Sequence, residues 1–193
     1  MNDQEARHAK RIAALMKERI AVVPYDPEWP TRYADLEQRL KKRLPKNLVQ
    51  RIAHIGSTAV PGLSAKPIID VQVEVNDMDE VVERVVPLME ELGYEFIWRP
   101  SIGESEPFYA WFIGRDARGE RTEHIHIVAP DHTSAERIIF RDLLRRHPAE
   151  AAAYEELKTA LAKKHAKDRV AYTQGKTEFI KNTLRKGRDG TLR

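Results

Sequence analysis

In some stretches of this chain apolar residues return every three or four positions, and in others every second one. The contrast predicts most of its architecture. Residues 3–20 carry a sparse helical stripe of Ile12, Leu15, Met16 and Ile20. VVPYDPEWP follows as an extended, proline-punctuated connector. A helix is predicted over 30–44, with Tyr33, Leu36 and Leu40 on one side and Pro30 in its first turn. Strands are predicted at 49–55 and 67–75. NDMDEVVERVVPLMEEL reads as a helix capped by Asn76 or Asp77, kinked or split at Pro87 and ended by Gly93. YEFIW, PFYAWFIG and RTEHIHIVA read as three further strands, the last two joined by the turn RDARGE. From about Thr133 the chain is helical. Pro148 divides SAERIIFRDLLRRH from AEAAAYEELKTALAKKHAKD, a third helix lies around 170–186, and RKGRDGTLR reads as a frayed basic tail.

This order predicts an α/β or α+β fold: a mixed sheet of about five strands, one helix-covered face and a C-terminal helical lobe. The expected organisation is an N-terminal helical extension over 1–21, a single domain over 22–187 and a basic tail over 188–193. Within that domain, 22–130 form the sheet core and 131–187 the helical lobe.

Composition narrows the function classes. The absence of cysteine removes disulfides, thiolate metal sites and thiol nucleophiles. No apolar run is long enough to cross a bilayer, and MNDQEARHAKRIAAL lacks the pattern of a secretory signal. A cytoplasmic protein with no membrane partner is expected. The formal charge of +3 suits a phosphate-bearing ligand but falls far short of a nucleic-acid-binding composition, so sequence-specific nucleic-acid binding is not expected. Oligomeric state is left open.

Strand periodicity points to one face of the sheet. In PIIDVQVEV, Ile69, Val71, Val73 and Val75 share a face, while Ile68, Asp70, Gln72 and Glu74 share the other. In RTEHIHIVA, Ile125 and Ile127 share a face with Glu123, and His124 and His126 lie opposite. One explanation is a solvated sheet face, which Glu74 at the strand end fits best. The other is a cleft under the helical lobe. There Asp70, His124 and His126 form a metal or acid–base cluster.

The loop GSTAVPGLSAKP also has two readings. It is a turn-rich connection with Gly56 and Gly62 at positive φ, or it is a phosphate cradle. In the cradle, Gly56 admits a ligand to the backbone, Ser57 and Thr58 donate to phosphate oxygens, and Lys66 adds charge. It is neither a P-loop nor a dinucleotide-binding glycine motif.

Ile55, Gly56 and Ser57 at the end of one strand, followed by Asp70 in the next, resemble the signature of the nucleotidyltransferase superfamily, whose fold is like that of DNA polymerase beta. The resemblance implies a Gly-Ser turn that holds a triphosphate and strand carboxylates that hold two divalent ions. A closer resemblance is to the GrpB family of that superfamily. It is carried by VVPYDPEWP, HIGSTAVPGLSAKPIIDVQVEV, HIHIV and FRDLLRRHPAEAAAYEELK, in order, from about Val22 to Phe179. The motif departs from active nucleotidyltransferases where Gln72 stands in place of a second carboxylate. An Asp-plus-His set is a poor magnesium site and suits manganese, zinc or iron, with Gln72 able to add a carbonyl oxygen.

Lys66, Arg121 and Arg141 are the basic candidates for an acidic ligand, and Arg145 shares a helix face with Arg141. Trp98, Phe108, Tyr109 and Trp111 are assigned to the core. The leading expectation is a protein that binds a nucleotide or phosphorylated small molecule, with a nucleoside triphosphate as candidate ligand and a divalent cation, and that carries out nucleotidyl transfer if it is catalytic. Gly56, Ser57, Thr58, Lys66, Arg121 and Arg141 would meet the ligand, and Asp70, Gln72, His124 and His126 the ion. The alternatives are a non-catalytic binding or protein-interaction module and a small metal-dependent hydrolase.

Overall fold

The computed structural model describes residues 20–99 and 109–192. The helix expected over 3–20 therefore lies outside the described residues. Val23 and Ala65 exchange backbone hydrogen bonds, which pins the proline-rich entry segment to the loop after the first strand. Helix α1 (Trp29–Arg43) follows, with a proline in its first turn and Lys41, Lys42 and Arg43 in its last, where the helix dipole favours positive charge.

Strands β1 (Val49–Ile55), β2 (Ile69–Val75), β3 (Glu95–Arg99), β4 (Tyr109–Arg115) and β5 (Arg121–Val128) form one sheet in the order β1-β2-β5-β4-β3. Only β2 and β5 run parallel among these neighbours; the other pairs are antiparallel. The segment between β2 and β3 begins as a π-helical turn over Val81–Val85 and continues as α2 (Val86–Glu91), so Pro87 sits at the start of a helix instead of inside one.

The face carrying Val71, Val73, Phe112, Ile125 and Ile127 is fully buried. Trp29, Leu36 and Leu40 of α1 pack on it, as do Val81, Val85 and Met89. Each large side chain removed from water there contributes about 1.5–3 kcal/mol. Helices α3 (His132–Arg146), α4 (Pro148–Lys164), α5 (Arg169–Gln174) and α6 (Thr177–Arg188) form the C-terminal lobe. It closes on the loop after β1 through a second cluster, in which Val60 and Leu63 meet Leu144, Tyr154, Phe140 and Ile180. Asp131 starts α3 with a reciprocal cap, its carboxylate accepting the Ser134 N–H while the Ser134 hydroxyl faces the Asp131 backbone.

Three expectations need correction. The helix expected around 170–186 is two, α5 and α6, interrupted at Gly175 and Lys176. The basic tail is not frayed where it begins: α6 runs to Arg188, whose guanidinium pairs with Glu136 at 3.0 Å. Glu74 does not meet water. It is 5% exposed, because Arg51 on the neighbouring strand covers and pairs with its carboxylate.

Candidate functional site

The sheet hydrogen bonds create the site. Parallel pairing sets Asp70 beside His124 and Gln72 beside His126, and antiparallel pairing sets Ile55 beside Asp70 and Trp111 beside His126. Side chains in register on adjacent strands share a face, so Asp70, His124 and His126 converge on the side away from the main core. His124 Nδ1 lies 3.1 Å from Asp70 Oδ1, and His126 Nε2 lies 3.9 Å from the same oxygen. One ligand atom from each of the three residues falls within 4.8 Å of the others.

Burial alone would raise the Asp70 carboxyl. The hydrogen bond with His124, the nearby His126 ring and the charge of Lys66 overcome it and hold Asp70 well below the usual carboxylate range. Burial lowers His124 to about 4, against the pull of Asp70. A neutral His124 next to a carboxylate donates from Nδ1 and keeps a lone pair on Nε2. Among the described residues His124 Nε2, His126 Nδ1, Gln72 Oε1 and Trp111 Nε1 are buried without a hydrogen-bond partner. Such atoms are uncommon in folded interiors, and here they gather on one sheet face. Trp111 packs edge-on against His124 and parallel to His126. Trp111 also packs against the buried Ile97 and Ile113, as its assignment to the core expected, but strand periodicity did not reveal its contacts with the two histidines.

The donor set fits one borderline ion, such as manganese, zinc or iron, on a carboxylate and two imidazoles. It does not fit two magnesium ions, which need more hard oxygen ligands. Glu74 is engaged by Arg51 and by the Gln72 amide, and that amide also donates to the Ser134 carbonyl, both at 3.0 Å.

Gly56 sits at φ 71°, ψ −170°, a conformation open to glycine, at the end of β1. A Cβ there would lie 2.7 Å from Asp70 Oδ2, so the carboxylate fills the space that the missing side chain leaves. Ser57 faces the Tyr154 hydroxyl. The Thr58 hydroxyl corrects the expectation of a ligand donor. Thr58 is 2% exposed, its hydroxyl donates to the Ile68 carbonyl and it meets His54 Nε2, so it braces the loop from behind.

Two arginines of α3 straddle this turn. Arg141 Nη1 donates to the His54 carbonyl and Arg145 Nε to the Ala59 carbonyl, each at 2.7 Å. Arg141 also borders the cleft, and its guanidinium is further tied to Asp142. The cleft has a volume of about 330 Å³, at the lower end for a small-molecule site. Gly56, Ser57 and Asp70 form its floor, and Thr133, Glu136, Arg137 and Phe140 of α3 form its roof. Arg137 lies over the Tyr109 ring and its charge reaches His126. Sequence reasoning missed Glu136 and Arg137, which lie within an ordinary charged helix pattern. Arg121 is buried and approaches the Trp111 ring from a bulge where β5 meets Gly114 and Arg115. Lys66 lies close enough to Asp70 for each to shift the other. Phe108 lies outside the described residues.

Fold and site together define an α+β protein whose mixed sheet carries an acid–imidazole cluster beneath a helical lobe. Comparison with known proteins gives the family. The family model for GrpB protein matches residues 19–186. UPF0157 protein PA4798 of Pseudomonas aeruginosa is 39% identical over 167 residues, spanning 86% of this chain and 67% of the relative. UPF0157 protein YqkA of Bacillus subtilis is 33% identical, and the chain covers 46% of its length. The crystal structure of GrpB from Enterococcus faecalis superposes with a TM-score of 0.73 at 34% identity, over 90% of this chain and all of that one. The chain belongs to the GrpB family. Among the described residues no helix is long and apolar enough to cross a membrane.

Proposed function

We propose that this chain binds a phosphate-bearing small molecule, a nucleotide in the leading case, in the cleft between the Gly56–Ser57 turn and α3, together with one divalent ion on Asp70, His124 and His126. The observation that carries the reading is the convergence of those three side chains beside a glycine turn held open at both ends by Arg141 and Arg145. The turn leaves the Gly56 backbone exposed to the cleft, and Lys66 and Arg137 supply positive charge around it. When bound, the ion supplies Lewis acidity toward a phosphoryl oxygen. The residues themselves do the rest: Asp70 fixes the His124 tautomer, Trp111 fixes both ring planes, and the turn positions the anion.

Nucleotidyl transfer is a second reading, favoured by the position of the Gly-Ser turn against Asp70, which the superfamily resemblance implies. Neutral Gln72 and the Arg51-bound Glu74 favour binding without fast transfer. Calorimetry with manganese and with zinc, followed by the four nucleoside triphosphates, tests both readings. One ion per chain, lost in Asp70→Asn, and ion-dependent nucleotide binding are expected. Absence of both ion and nucleotide binding overturns the proposal, and rapid pyrophosphate release promotes the second reading over the first.

A further inference from the structure

Helix α3 roofs the cleft with Thr133, Glu136, Arg137, Phe140, Arg141 and Leu144, a single stripe at helical spacing. The stripe changes character along its length, about 16 Å of helix. Its first three residues are polar. Further on, Phe140 and Leu144 are apolar, and Arg141 is committed to the His54 carbonyl and to Asp142. Tyr154 of α4 and Ile180 and Leu184 of α6 line the same cleft. Leu144 and Tyr154 are 2% and 5% exposed, with Phe140 and Ile180 packed against them. The Tyr154 ring is clamped between Phe140, edge-on, and Phe179, face-on, each at 5.2 Å. The cleft therefore has a polar side and an apolar side, which meet where the Tyr154 hydroxyl faces Ser57. That contact takes up the hydroxyl, so the side chains of the apolar side offer a ligand no other polar group. Such a wall holds water poorly and takes apolar groups. At about 330 Å³ the cleft is sized for a small molecule.

We propose that Phe140, Leu144, Tyr154, Ile180 and Leu184 form a specificity subsite for the organic part of the phosphate-bearing ligand, which they recognise by burying apolar surface and without reading a hydrogen-bonding edge. The ligand class is accordingly a phosphate ester whose alkyl or aryl part lies next to the phosphate, because the Ser57–Tyr154 contact brings turn and ring together. A nucleotide would be held there by the face of its base, and bases of equal size would not be told apart. The inference rests on the phosphate-binding reading given above and adds what the phosphate must carry.

The test is calorimetry of the full chain, with manganese present, against orthophosphate and methyl, propyl, butyl and hexyl phosphates. Affinity should rise about fourfold per methylene from methyl to butyl phosphate, as for any methylene moved out of water, and level off once the apolar side is filled. Ile180→Asn should cut the rise to less than about twofold per methylene. Phe140→Trp fills the cleft and should stop the rise at a shorter chain; should Ile180→Asn fail to fold, this variant carries the test alone. Adenosine and inosine monophosphates, equal in size and different at one base edge, should bind within about threefold of each other. Equal affinities for methyl and butyl phosphate, a rise left intact in the folded variants, or a preference of about tenfold between the two nucleotides overturns the subsite and leaves the phosphate reading standing. Failure of wild type to bind any of these phosphates overturns both.

Discussion

The carboxylate of Asp70 occupies the space that a side chain at Gly56 would need: a Cβ built on that glycine lies 2.7 Å from Asp70 Oδ2 and 3.1 Å from Asp70 Cβ. Turn and acid are thus one unit. Gly56→Ala should cost about 1–3 kcal/mol for the left-handed backbone, and should also push the carboxylate off the imidazoles. Gly62→Ala carries similar strain, at φ 78°, with nothing within 4 Å of its Cβ. Denaturation should therefore show losses for both variants. Metal titration should show a drop of tenfold or more in Gly56→Ala alone, and equal metal affinity in the two would separate turn from acid.

Gln72→Glu looks from the sequence like a restoration of the second carboxylate that the nucleotidyltransferase resemblance implies. In the folded chain the new carboxylate would face the Glu74 carboxylate and the Ser134 carbonyl, both acceptors that now receive the amide. The expected result is a loss of roughly 2–4 kcal/mol at neutral pH and no gain in magnesium affinity. The added carboxyl should titrate upward, so the deficit should shrink on acidification. Urea titrations at pH 7 and pH 5 check the sign.

His54 contributes to the wild-type pH dependence, beside His124 and His126, which burial lowers in the same direction. Its ring stacks on Tyr33 at 4.5 Å and meets Thr58 Oγ1 at 3.0 Å. Burial, with Arg145 and Arg141, lowers it from 6.5 to about 4 against the pull of Asp70. Between those values the unfolded chain holds a proton that the folded one lacks. Its contribution is therefore complete above pH 6.5 and declines toward pH 4, with a slope of up to about 1.4 kcal/mol per pH unit. His54→Gln keeps a donor for Thr58 and should reduce that slope by up to about 1.4 kcal/mol per pH unit, leaving the share of His124 and His126. An unchanged slope in paired denaturation series would remove His54 from the pH dependence.

Lys158 joins α4 to the loop. It is 2% exposed, donates to the Ser64 carbonyl and lies 5.0 Å from the Tyr154 centroid, while Glu155 accepts the Ser64 N–H. Lys158→Ala should cost about 2–4 kcal/mol by leaving the half-buried Ser64 carbonyl unpaired above a cavity. Lys158→Met fills the volume and should cost less. Equal losses in chemical denaturation would rule out the packing part of this account.

Much of the fold was legible because its signals are local. Alternation in PIIDVQVEV and RTEHIHIVA separated the valine–isoleucine face from the face of Asp70, His124 and His126, and strand pairing kept them separate. Pro87 announced an interrupted helix. What escaped depends on partners distant in sequence. Thr58 looks like a loop donor until Ile68 and His54 engage it, and Glu74 looks solvated until Arg51 covers it. Glu136 and Arg137 acquire meaning once the lobe folds over the sheet, and no spacing rule reports that.

The parallel register of β2 and β5 has a further consequence. Backbone ladder hydrogen bonds set the spacing of Asp70 from His124, and a slip of β2 by one residue would turn Asp70 away from the histidines and its valines away from the core. The strand pairing thus acts as quality control on the chemistry. A molecule that has buried its core has, by the same act, assembled its acid and imidazoles, so misassembly of the cluster should appear as misfolding and never as a well-folded protein with a scrambled centre.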